Sequence, residues 1–67
     1  MREMDILLAR FLERGYDALD ADDCADFERL LDQPDQDLLR WLSGGGVPEE
    51  TRLATLIARM RRVVVGP

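Results

Sequence analysis

The 67-residue sequence contains no histidine, no lysine and a single cysteine, Cys24. One cysteine excludes an internal disulfide, and without histidine the usual zinc-ligand sets cannot be assembled. The same absence removes the Ser-His and Cys-His pairs on which most nucleophilic catalysis rests. No apolar run approaches the roughly 20 residues of a membrane-spanning helix. Nor does any segment alternate with period two for long enough to make a strand. Val63-Val64-Val65 is β-prone but short and terminal. There is no internal repeat, no low-complexity linker, and no recognisable signal or transit segment, so a cytoplasmic location is expected. Basic charge is scarce as well. Nine arginines stand against 14 carboxylates, for a net charge of −5. Nonspecific nucleic-acid binding rests on neutralising phosphates, so an acidic chain is a poor candidate for it.

What is present is helical periodicity. The hydrophobic fraction of 46% is ordinary for a globular chain. A chain this short buries only about 60% of its unfolded surface, so stability must come from helix packing, from a partner, or from both. The first helix is predicted from about Met1 to Glu13. Met4, Leu7, Leu8, Phe11 and Leu12 form its inner stripe, and Gly15 ends it. Tyr16 and Leu19 then dock the connection on the core. Asp20 is placed to cap a second helix, with Asp22 and Asp23 in a first turn whose dipole favours negative charge. Cys24, Phe27, Leu30 and Leu31 face inward, and Pro34 stops that helix near Gln33. Asp35 is expected to cap a short third helix, apolar through Leu38, Leu39, Trp41 and Leu42. Gly44-Gly45-Gly46 ends it, with one glycine left-handed. Pro48 suits the first turn of a fourth helix. Leu53, Leu56, Ile57 and Met60 are its inner face, and Arg59, Arg61 and Arg62 complement the dipole at its end. The tail from Val63 to Pro67 reads as fraying or packing elsewhere. The expected fold class is all-α, a small bundle of about four helices in one domain spanning residues 1–67.

The motifs weigh toward binding rather than catalysis. The acidic run "DALDADDCADFE" fails as a calcium loop. Counted from Asp20, the sixth and twelfth positions hold Ala25 and Leu31 where an EF-hand needs Gly and Glu. Capping and solvation of a helix start account for it; a partner-binding acidic patch is the alternative. "GGG" lacks the phosphate-loop pattern and follows a helix, not a strand. Trp41 and Cys24 both read as core, Cys24 as an inert thiol. The chain is therefore expected to be no enzyme and to carry no metal or cofactor.

Several stretches together resemble a known family. "REMD" leads into an apolar helix and "YDAL". "FERLL" and "DQDLLRWL" follow, then Gly46, Pro48 and "LATLIARMR". This order is similar to the small bacterial FAD assembly factors of succinate dehydrogenase, the SdhE family, from about Arg2 to Arg62. The resemblance implies a bundle that has five helices when complete. It also implies a chaperone that promotes covalent FAD attachment to the flavoprotein subunit of succinate dehydrogenase, or of fumarate reductase. The family signature is Arg-Gly-x-x-Glu, and Glu3 matches its final residue, with Met1 and Arg2 at the x positions. The Arg, the Gly and a preceding helix would stand before Met1, so the expected domain is incomplete at its N-terminus. The residues implied to bind the client are Arg2, Glu3 and Asp5. A monomer is expected, with a dimer through an exposed apolar seam as the alternative. A different class of reading is an acidic, antitoxin-like regulatory adaptor for another protein. A flavin carrier is a third, but it needs aromatics that the core already claims.

Overall fold

A computed structural model describes the chain from residue 2 to residue 65. The predicted start of the first helix at Met1, and Gly66 and Pro67 of the tail, lie outside the described residues. Among the described residues four α-helices follow one another: α1 (Arg2–Arg14), α2 (Ala21–Leu31), α3 (Asp35–Leu42) and α4 (Thr51–Val65). A 3-10 turn at Tyr16–Ala18 links α1 to α2. Among the described residues there is no strand, and the class is all-α as the periodicity predicts.

Each helix carries an apolar stripe of period 3.6, and the stripes converge on α4. Leu53, Leu56, Ile57, Met60 and Val64 of α4 recur at helical spacing and are buried. Around them lie Met4 and Phe11 from α1, Phe27 and Leu30 from α2, and Leu38, Trp41 and Leu42 from α3. The Phe11 and Phe27 rings meet at 5.4 Å between centroids, tilted by 39°. Such pairs add to simple area burial.

The helix ends follow local chemistry. Asp20 and Asp23 form a reciprocal capping box at the start of α2. The Asp23 amide donates to Asp20 Oδ1 at 2.8 Å, and the Asp20 amide to Asp23 Oδ2 at 3.4 Å. At the end of α3, Gly44 takes φ +89°. Its amide donates to the Trp41 carbonyl at 3.2 Å, and the Gly45 amide to the Arg40 carbonyl at 2.8 Å. These are the two bonds of a Schellman motif, which satisfies carbonyls the helix leaves open. The Arg61 guanidinium lies over Gly44, 2.8 Å from where a β-carbon would stand. Gly15, which ends α1, has φ −128°, an ordinary backbone. Its β-carbon would lie 2.9 Å from the Phe11 ring and 3.1 Å from Val63, so close approach is what requires glycine there.

Several expectations are corrected. Asp35 does not cap α3; it is the first helical residue, and Pro34 occupies the cap position without a side-chain bond. Pro34 has extended backbone at φ −57° and ψ 140°, which is what a cap position needs, and the prolyl ring has no group to donate or accept. Helix α2 ends at Leu31, short of Gln33. Pro48 is not in α4. It is buried in the connection, and the helix opens at Thr51, with the Ala54 amide bonded to the Glu50 carbonyl. Val63 and Val64 continue α4, and Val64 joins the core, because a helix of this length must cover the end of α1 near Gly15. Leu12 is 51% exposed and Leu31 43%, against the inward places predicted for them. Each lies at the margin of a stripe broader than the neighbouring helices can cover. Cys24 is half-buried rather than fully buried. Tyr16, at 38% exposure, docks only one edge, its ring 5.7 Å from Phe27 in a T-shaped contact.

Replacing Gly44 with alanine is expected to cost about 1 kcal/mol, since alanine resists positive φ. Arg61 would have to move as well. Gly46→Ala, whose β-carbon would meet nothing closer than 3.5 Å, should be near neutral. Urea unfolding of the two variants checks the difference.

Candidate functional site

The three residues singled out from the sequence sit together in the first turn of α1, and all are exposed. They are not equivalent. Glu3 shares a helix face with Ile6 and Leu7, three and four residues on. These three, with Leu39 and Ser43 of α3, line an apolar groove of about 300 Å³. Ile6 is 46% exposed there, while Leu7 and Leu39 are half-buried against the core. Arg2 and Asp5 are on the same turn but do not line the groove. The fold thus sets one carboxylate, Glu3, on the rim of an open apolar surface. A partner with an apolar side chain and a neighbouring cation fits that combination. The free amides of the turn favour the carboxylate where it stands.

The acidic run has a second role that sequence reasoning missed. Asp23 and Asp26 turn toward α4 rather than toward solvent. Asp26 is 6% exposed and holds two arginines. Its Oδ2 accepts from Arg52 at 2.8 Å and its Oδ1 from Arg29 at 3.2 Å. Arg29 also pairs with Glu50, just ahead of α4. Asp23 accepts from Arg59 at 2.7 Å. The partners run backward along α4 as α2 advances, which fixes the two helices as antiparallel. Arg59 was assigned to the helix dipole from sequence, and its ion pair is instead interhelical. The available signal was the spacing of Asp23 and Asp26 against Arg52 and Arg59, two inward-facing pairs on helices predicted to be neighbours. Asp17, Asp20 and Asp22 remain exposed.

These pairs shift titration in a consistent direction. The bond from Arg59 holds the Asp23 carboxyl below its usual value, outweighing partial desolvation. The bond from Arg29 does the same for Glu50. A carboxyl with a depressed folded pKa contributes stability that is complete above its unfolded value, and the contribution is lost as pH falls through the folded one.

The charged cleft bordered by Asp23, Asp26, Arg52 and Arg59 is occupied by their own ion pairs. Among the described residues, no three acidic or cysteine side chains converge as metal ligands would. Phe11, Phe27 and Trp41 are committed to the core, and Tyr16 leans on Phe27.

A small all-α scaffold that presents an apolar groove with a charged rim is the outline of a protein-binding module. Comparison with known proteins gives it a family. The model described as "Flavinator of succinate dehydrogenase" matches residues 1–64. The chain is 42% identical over 64 residues to the FAD assembly factor SdhE of Methylococcus capsulatus, covering 96% of this chain and 77% of that protein. It is 40% identical over 57 residues to the SdhE of Pseudomonas aeruginosa, covering 85% and 68%. With the SdhE of Coxiella burnetii the identity is 38% over 63 residues, covering 94% and 77%. No solved structure matches the chain significantly. The protein belongs to the succinate dehydrogenase flavinator family, a family of assembly factors rather than enzymes.

Asp26→Ala is expected to destabilise the fold by about 1.5–3 kcal/mol, the range for losing hydrogen bonds to a charged group. Asp22→Ala, at an exposed position, should change little. Stability should also fall as pH drops below about 4, through the depressed values of Asp23 and Glu50. Arg59→Gln should flatten the Asp23 part of that acid limb. Thermal melts between neutral and acid pH check both.

Proposed function

We propose that this chain is an assembly chaperone that binds the flavoprotein subunit of succinate dehydrogenase, or of fumarate reductase, and promotes covalent FAD attachment. The reading rests on family membership. What carries it at residue level is Glu3, at the rim of the groove formed by Ile6, Leu7 and Leu39. Arg2, Glu3 and Asp5 form the contact turn. Glu3 gives a charge-assisted hydrogen bond to a cationic group of the client, and the groove takes an apolar side chain beside it. The chaperone supplies no reacting group. It holds the client's mobile segments in one pose, so that bound FAD and the accepting side chain meet more often. The working compartment is the cytoplasm, where the flavoprotein subunit is made.

The test expresses the flavoprotein subunit in cells lacking their own assembly factor, with this chain, with its Glu3→Ala variant, or with neither. Fluorescence of the denatured subunit on a gel reports covalent flavin. The chain should raise the signal, and Glu3→Ala should lower the gain by about tenfold, the equivalent of 1.4 kcal/mol of binding. A folded chain that leaves flavinylation at the level without it would overturn the reading.

A further inference from the structure

The exposed flank of α1 is complementary to itself. Glu3, Ile6, Leu7 and Arg10 recur at i, i+3, i+4 and i+7, so they form one stripe along two turns. The stripe is acidic at its amino end, apolar in the middle and basic at its carboxyl end. Ile6 stands out into solvent beside the groove that Leu7 and Leu39 floor. Glu3 and Arg10 are both exposed, and among the described residues neither forms an ion pair within the chain.

We propose that this stripe is a two-fold interface between two copies of the chain, with the α1 helices antiparallel. An isologous contact requires one patch to match itself after a half-turn. Here a single register satisfies all four positions. Setting Ile6 against Leu7 of the second copy brings Glu3 opposite Arg10 of that copy, and the symmetry repeats both contacts. Sliding the helices by one turn would place Glu3 against Glu13 and Ile6 against Arg10, which is unfavourable on both counts. Ile6 then enters the second copy's groove and is removed from water. The contact spans about 10 Å of helix. That is small beside the ~800 Å² per partner of a typical stable complex, so the dimer is weak and concentration-dependent. It covers Glu3, so self-association and any partner that uses Glu3 exclude each other. The inference rests on the pattern of α1 and not on the identity of the client.

Sedimentation velocity of the chain from micromolar to millimolar concentration, at low and at high salt, tests it. The weight-average mass should rise from 7.7 kDa toward twice that value, and less steeply at high salt. Glu3→Arg and Arg10→Glu should each weaken association by about tenfold, since each breaks two symmetry-related pairs. The double variant should restore association to within about threefold of the parent, because the swapped charges face each other again. Both positions of change are exposed, and circular dichroism verifies the fold. A monomer mass throughout the range would overturn the proposal. So would association that is indifferent to the single reversals, or a double variant no better than either single one.

Discussion

The structure depends on the burial of α4. A chain of this size has room for one core, and α4 supplies its axis. Leu53, Leu56, Ile57, Met60 and Val64 lie along it, and α1, α2 and α3 each bury a stripe against it. The stripe extends the full length of the helix, which is why Val64 is helical and buried rather than frayed. It also explains the glycine at position 15. There α1 must end close enough to α4 for Phe11 and Val63 to crowd its α-carbon. A side chain at that point would hold the two helices apart.

Around that apolar axis, charge sets direction. Hydrophobic stripes alone tolerate more than one arrangement of short helices, because burial is not directional. The pairs Asp26–Arg52 and Asp23–Arg59 match only when α2 and α4 run antiparallel in one register. Exposed pairs of this kind contribute little to stability. The buried oxygens of Asp26 are different, since leaving them unpaired would cost more than the pair itself returns. Using arginine throughout suits this arrangement. One planar group can span two acceptors, as Arg29 does between Asp26 and Glu50. With Asp23 and Asp26 turned toward α4, Asp17, Asp20 and Asp22 of the acidic run stay exposed. In the first turn of α1, one carboxylate, Glu3, borders an open apolar surface.

Membership of an assembly-factor family fits this division. Among the described residues, Phe11, Phe27 and Trp41 are buried in the core, and Asp23 and Asp26 are held by arginines. Function of the binding kind needs only a surface held in place, and α1 and α3 hold one between them. At the end of α3, the Schellman motif with Arg61 laid over Gly44 sets the turn beside Ser43 at the edge of the groove.

Much of this was legible in the residues. The four helices, the capping role of Asp20, the left-handed glycine after Leu42 and most of the core follow from local chemistry. Periodicity, caps and backbone preference act within a few residues, so the order of residues is sufficient to reveal them. The resemblance of "REMD", "FERLL" and "DQDLLRWL" pointed to the family for a similar reason, since linear spacing survives without knowledge of the fold. Other features were decided only when the helices met. Leu12 and Leu31 look no different from Leu8 and Leu30 along the chain, and their exposure depends on where the neighbouring helices stop. Asp23 and Asp26 look solvated until Arg59 and Arg52 arrive from more than 25 residues away. Pro48 fits a helix start by local preference, yet it lies buried in the connection, bordering a pocket with Trp41 and Leu53. Glu3 could be named from its position in a motif, but its place on the rim of an apolar groove required α3 to supply Leu39 and Ser43. Local preference sets what each segment is; which faces are covered and which charges find partners is set by packing, because those energies arise between segments far apart in the chain.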